Sequence, residues 1–121
     1  MAVARISKQT FRKLLNSKTL PKNSIVVKFY SNHCPYCVRL KDEYHHISDL
    51  FEGTHFFVIN VDDEGYIDDL VQINGVPTIA VFNVVNSRFE IKILGEPIQP
   101  DPASWYHAKQ IKQFIEETIN D

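Results

Sequence analysis

Little in this sequence announces a partner. Thirteen basic and 15 acidic residues nearly cancel, leaving a formal net charge of -2, so no field of one sign draws the chain to nucleic acid or to an anionic membrane. No stretch approaches the roughly 18 apolar residues of a membrane span, and the opening MAVARISKQT lacks the apolar core of a secretory signal. The chain therefore reads as unexported and cytoplasmic. Internal repeats and low-complexity segments are missing too, which excludes solenoid and linker architectures. Cysteine is scarce: two residues, three positions apart, cannot form a multi-bridge framework that substitutes for a small core. They are there for chemistry or for metal. What is present is 121 residues, 44% of them hydrophobic, enough for one core and too few for two ordinary domains. One domain over residues 1–121 is expected.

Along the chain the hydrophobic period alternates between strand and helix, and turn residues mark each change. The predicted order is βαβαβαββα. Residues 2–6 read as a short edge strand. Ser7 stands where a helix cap belongs, and Phe11, Leu14 and Leu15 mark an apolar helical face ending near Ser17. After a turn at Leu20-Pro21-Lys22-Asn23, the run Ile25-Val26-Val27-Lys28-Phe29-Tyr30 is nearly all β-formers, as in a strand covered on both faces. A long helix begins at the cysteines, with Pro35 at its first position. Val38, Lys41, Tyr44, Ile47 and Phe51 follow at helical spacing until Gly53. Residues 55–61 form the next strand, 66–73 a short helix, and 78–84 and 89–94 a hairpin turning at Asn86-Ser87. Asp101-Pro102 signals entry to a last helix striped by Ala108, Ile111, Ile115 and Ile119.

The chemistry centres on Cys34-Pro35-Tyr36-Cys37, placed directly after a buried strand and opening a helix. At a helix start the unpaired N–H groups and the positive end of the dipole stabilise an anion, so the Cys34 thiol ionises more readily than a free one, whose pKa is about 8.5. Cys34 is the candidate nucleophile. Cys37, one turn on along the same face and more buried, is the candidate resolving thiol that attacks Cys34 sulfur in a mixed disulfide. A second element faces them. In Asn74-Gly75-Val76-Pro77-Thr78, a cis Val76-Pro77 bond would expose the Val76 N–H and C=O to an extended substrate segment. Pro35, Tyr36, Val76 and Pro77 are thus the candidate substrate-binding residues.

Element order, the strand-Cys-x-x-Cys-helix junction, Asn60-Val61-Asp62 and Val76-Pro77-Thr78 together resemble the thioredoxin superfamily, over about residues 4–119. Order and Val-Pro-Thr spacing are similar to thioredoxin and protein disulfide isomerase domains, whereas the Cys-Pro-Tyr-Cys tetrad is similar to dithiol glutaredoxins. The resemblance implies an α/β thioredoxin fold, a mixed five-stranded β-sheet flanked by four α-helices. It also implies a cis-proline at Pro77 and a redox-active disulfide between Cys34 and Cys37. Implied partners are protein disulfide substrates and a recycling reductase or glutathione, with no bound cofactor, no metal, no nucleic acid and no membrane.

The sequence also departs from those patterns. Where thioredoxins and disulfide isomerases usually hold a buried acid, Lys28 stands. A charged lysine there favours thiolate, burial would depress its pKa, and its stem is expected to snorkel to the sheet edge. His33 replaces the tryptophan that usually precedes the first cysteine, and an imidazolium there would also favour thiolate. Ser31 and Phe82-Asn83-Val84-Val85 occupy the positions where glutaredoxins hold glutathione, so a glutathione site is not expected. A half-zinc site with His33, His45 or His46 meets a distance problem, since His45 and His46 lie about 12 Å down the helix from Cys37. A cluster shared between chains would want four thiolates, and a non-catalytic binding module would not need two intact cysteines. The acidic residues Asp62, Asp63, Glu64, Asp68 and Asp69 read as a solvated face, and Trp105-Tyr106, after the proline-rich 95–102 loop, as core. The expected activity is reduction of protein disulfides; disulfide isomerase or oxidase and glutathione-coupled glutaredoxin are the enzyme alternatives.

Overall fold

A computed structural model of the chain describes residues 3–16, 24–62, 73, 75–85 and 88–119. The elements in chain order are β1 (Ala4–Arg5), α1 (Lys8–Leu15), β2 (Ile25–Tyr30), α2 (Pro35–Ser48), β3 (His55–Asn60), β4 (Thr78–Val85), β5 (Arg88–Ile93) and α3 (Ala108–Ile119). The short helix predicted at 66–73 and the turns at 20–23 and 86–87 fall on residues outside those described, apart from Ile73. So do Asp63, Glu64, Asp68 and Asp69 of the acidic run.

The five strands form one mixed sheet in the order β1-β3-β2-β4-β5. β1 and β2 run parallel to β3, while β4 pairs antiparallel with both β2 and β5. The near-continuous apolar character of β2 follows from its central place, where both faces need covering. Strand alternation sends its residues to two cores. Val26 packs with Leu40, Tyr44, Ile47, Ile111 and Ile115 under α2 and α3. Ile25, Val27 and Phe29 pack on the opposite face with Phe11 of α1, Ile59 and Phe82.

Local chemistry sets the helix ends. The Ser7 hydroxyl accepts the Thr10 N–H at 3.0 Å and caps α1, whose buried residue is Phe11. α2 starts at Pro35 with Cys34 as its cap and ends at Ser48, earlier than Phe51. The chain then turns through Gly53, whose φ of 83° suits a residue without a side chain.

Two expected helix features need correction. The buried stripe of α2 is Cys37, Leu40, Tyr44, Ile47 and Ser48. Val38 is 66% exposed, and Lys41 is exposed too. One turn past Cys37 along the inward face lies Leu40, so anchoring the stripe on Val38 rotates it by one residue. Asp101-Pro102 does not open α3. The Asp101 carboxylate accepts the N–H groups of Ala103 and Ser104, and its backbone pairs with that of Trp105 in a tight bridge. The helix proper waits until Ala108.

Candidate active site

The end of β2 and the start of β4 lie side by side on adjacent strands, and each leads into one half of the site. Beyond Tyr30 the chain turns over Ser31, whose carbonyl accepts the Cys34 N–H at 3.2 Å. The Ser31 hydroxyl accepts the His33 N–H at 3.1 Å and donates to Asp62 at 2.6 Å. Asp62 is fixed in turn by its N–H to the buried Asn60 side chain, at 2.9 Å. This Ser31-Asp62-Asn60 tie anchors the cysteine loop to the end of β3. Sequence reasoning missed it, having read Ser31 only against a glutathione site and the Asp62 carboxylate as part of a solvated acidic run.

Cys34 and Cys37 are joined in a disulfide, with Cα atoms 5.2 Å apart. Cys34 is 7% exposed and Cys37 3%, so the first cysteine is the more open of the two. The Cys37 N–H points at Cys34 sulfur, 3.1 Å away. A thiolate on Cys34 would keep that donor and the positive end of the helix dipole beside it. Across the site the Val76–Pro77 peptide bond is cis. It brings the Val76 carbonyl oxygen to 3.7 Å from Cys34 sulfur. Thr78, first in β4, steadies the turn by donating its hydroxyl to the Gly75 carbonyl. The structure therefore gathers Cys34, Cys37, Val76 and Pro77 in one place.

The tuning candidates part company. His33 is exposed, in the loop before Cys34. Lys28 does not reach the sheet edge: it sits on the central strand, 3% exposed, between Val58 of β3 and Ile79 of β4. Its stem cannot snorkel because strands flank it on both sides and α2 covers its face. The Nζ lies 5.1 Å from the centroid of the Tyr44 ring and 5.8 Å from that of Tyr30, the position of a cation over aromatic faces. Burial, with Lys41 adding repulsion, lowers its pKa from 10.5 to about 8. Tyr44 is tied as well, its hydroxyl 2.8 Å from the Phe57 carbonyl and 3.2 Å from that of Val26. Burial pushes the Tyr44 phenol well above its ordinary range, against a smaller lowering by a hydrogen bond from the Lys28 backbone.

Of the remaining predicted residues, Pro35 is exposed and Tyr36 half-buried. Tyr36 packs on Trp105 with ring centroids 5.7 Å apart. Trp105 and Tyr106 were expected to be core. Tyr106 is, its hydroxyl donating to the Leu94 carbonyl at 3.2 Å, whereas Trp105 stays half-buried at the margin. Its φ of 66° is one that costs an L-residue roughly 1–2 kcal/mol. Nothing in the sequence pairs residue 36 with residue 105; the signal was only the proline-rich length of the intervening loop. Among the described residues no three His, Cys, Asp or Glu side chains stand together as a metal set, and no helix is long and apolar enough to cross a membrane.

Comparison with known proteins places this geometry. In sequence, the chain is 33% identical to the thioredoxin of Mycoplasma genitalium over 61 residues, which span 50% of this chain and 60% of that relative. In structure, chloroplastic thioredoxin z matches all of this chain and 97% of its own with a TM-score of 0.72 at 18% identity. The Trx4 domain of ERdj5 matches 98% of this chain and 96% of its own with a TM-score of 0.74 at 17% identity. A chain from the complex of ferredoxin:thioredoxin reductase with thioredoxin f2 matches 96% of this chain and 94% of its own, with a TM-score of 0.69 at 16% identity. These likenesses are to the fold. The thioredoxin family model covers residues 2–96, from the first strand past the hairpin, and over that span the chain belongs to the thioredoxin family.

Proposed function

We propose that the protein is a thiol-disulfide oxidoreductase that reduces protein disulfides, with Cys34 as nucleophile and Cys37 as resolving thiol. One observation carries the reading: the Cys34–Cys37 bond caps α2 while Cys34 sulfur faces the Val76 carbonyl of the Val76–Pro77 turn at 3.7 Å. In the reduced protein the Cys34 thiolate attacks one sulfur of the substrate disulfide. That S–S bond breaks, the departing thiolate takes a proton from water, and a mixed disulfide remains on Cys34. Cys37 gives up its proton and attacks Cys34 sulfur, releasing the second substrate thiol and leaving the Cys34–Cys37 disulfide. Two electrons pass from protein to substrate, and a dithiol donor must return them. The Val76 N–H and C=O pair with an extended substrate chain, Pro77 holds the turn, and Pro35 and Tyr36 form the rim.

Lys28, beneath the α2 face that carries Cys37, and His33, in the loop, are the candidate tuning groups. The donor we assign is a protein reductase: the thioredoxin f2 similar in fold is described in complex with a ferredoxin:thioredoxin reductase. Glutathione is disfavoured because Phe82, in the stretch where glutaredoxins hold it, is fully buried in the core. A reducing compartment such as the cytosol suits this direction of exchange.

The test is reduction of a protein disulfide with dithiothreitol as electron source. Cys34→Ser should abolish turnover, and Cys37→Ser should accumulate a mixed disulfide visible by mass. Full activity in Cys34→Ser refutes the reading. A pair potential near -270 mV supports a reductase, whereas one near -180 mV or higher favours an isomerase or oxidase.

A further inference from the structure

A cleft of about 330 Å³ opens beside the Val76–Pro77 turn, walled by Val76, Pro77, Leu94, Glu96, Trp105 and Tyr106. It adjoins the sulfur that reacts, since Val76 contributes both its wall and the carbonyl 3.7 Å from Cys34. Its far wall is the segment between β5 and α3, which is braced rather than loose. Asp101 and Trp105 pair through both backbone N–H groups at 2.9 Å. The His107 ring makes a 2.7 Å contact with the Gln99 carbonyl. Hydrogen bonds from the Ala103 and Ser104 backbones hold the Asp101 carboxyl below its usual range. The half-buried Trp105 packs against Tyr36 of the tetrad and also lines the cleft.

The cleft is charged by one residue. Among its described lining, Glu96 alone carries charge. It is exposed and lines the same cleft as Tyr106, whose phenol is raised by burial with a smaller push from Glu96. The phenol hydrogen is already committed to Leu94. Within a lining that is more polar than apolar, the Val76 and Leu94 residues, Trp105 and one carboxylate match a side chain with a hydrocarbon stem and a cationic head.

We infer that the cleft is a specificity subsite for an arginine or lysine within two residues of the substrate cysteine, read by Trp105 and Glu96. The inference rests on the exchange chemistry proposed above. The substrate chain pairs with Val76, its basic stem lies along Val76 and Leu94, and its head sits between the Trp105 face and the Glu96 carboxylate. Substrates with acidic residues in the same place meet Glu96 and are disfavoured.

The test uses three peptide dimers joined by a single disulfide, alike except that the cysteine is flanked on both sides by Arg, Leu or Glu. Reduced protein is mixed with each, and the second-order rate constant for dimer consumption in a single turnover is measured at low salt. The expected order is Arg over Leu over Glu, with Arg over Glu by roughly tenfold. In Glu96→Gln that ratio should fall to about one or two, and in Glu96→Lys it should invert. Trp105→Ala should lower the Arg peptide more than the Leu peptide. Because each readout is a ratio within one variant, it does not depend on how much of that variant folds. Equal rates for all three peptides with the wild type, or a wild-type ratio kept in Glu96→Gln, overturns the subsite and leaves the exchange chemistry standing. Failure to reduce any of the three removes the exchange chemistry itself.

Discussion

Lys28 is the residue whose environment conflicts most with its chemistry. An ammonium on the middle strand of a sheet, under a helix, is stripped of most of its water, and aromatic faces replace only part of that hydration. Its pKa falls from 10.5 to about 8, so between those values the unfolded chain binds a proton that the folded chain has released. Stability from this group therefore rises with pH across that window, is complete above 10.5, and is lost as pH falls through about 8. The span corresponds to about 3 kcal/mol. Lys28→Met, which keeps the stem and removes the charge, should be more stable than the parent at pH 7, by about 1–3 kcal/mol. That advantage should shrink steadily toward pH 10.5. Urea unfolding of the two oxidised proteins, in which the thiols do not titrate, measures it across that range. A constant difference would place the Lys28 ammonium in water. The mixed-disulfide rate as a function of pH then separates a tuning role from a structural one, because only the former moves the midpoint when Lys28 is replaced.

Among the elements, α2 joins the core to the chemistry, and one phase of its turn decides which residues do so. Leu40, Tyr44 and Ile47 are driven into the space shared with Val26, Ile111 and Ile115, while Val38 stands in water. Leu40→Ala should cost about 2–5 kcal/mol and Val38→Ala no more than about 0.5 kcal/mol, read by thermal or urea unfolding. Similar costs for both would mean the helix is rotated from the phase described here. That phase is what the sequence left ambiguous. Val38, Lys41, Tyr44 and Ile47 recur at intervals of three, and Cys37, Leu40, Tyr44 and Ile47 at three, four and three; the two stripes converge on Tyr44 and Ile47, and only Leu40 against Lys41 tells them apart. Strands were easier. The run from Ile25 to Tyr30 could be buried only at the centre of a sheet, and the Cys34-Pro35 cap was legible because its residue preferences are steep. The segment from Gly95 to His107 was not legible. Its Asp101 turn and positive-φ Trp105 satisfy one another across a bridge, and the same letters, Asp-Pro followed by small residues, also spell a helix start. The gathering of Cys34, Cys37, Val76 and Pro77 in one place was thus readable from motif and spacing, whereas the Ser31-Asp62 tie and the Tyr36-Trp105 contact depend on tertiary approach.

At the scale of the molecule, the order β1-β3-β2-β4-β5 grades stability from the middle outward, and the candidate site uses that gradient. β2 is paired on both sides and covered on both faces, and β4 shares its buried half, with Thr78 to Phe82 all buried. β1 has two residues, both exposed, and β5 is largely exposed, with a partner on one side only. Amides that open only when the whole domain unfolds should lie in the centre, and those that open locally at the edges. The cysteine loop leaves the end of β2 and the Val76–Pro77 turn enters the start of β4, so both halves of the candidate site hang from the central, doubly paired strands. The Trp105 segment hangs from β5 and α3 instead. Hydrogen exchange followed by NMR should therefore find the amides of Val26 to Phe29 and Ile79 to Val81 slowest. Those of β5 should exchange roughly a hundredfold or more faster, a difference of about 3 kcal/mol in opening free energy, with the Trp105 amide nearer the β5 class than the β2 class. That outcome gives the proposed subsite a wall that adapts to a substrate side chain beside a proposed nucleophile, Cys34, that does not. If the Trp105 amide is instead protected as strongly as Val27, the wall is part of the central core. Selectivity for a basic residue would then have to come from a preformed cleft, and substrates of different bulk would be discriminated sharply by shape as well as by charge.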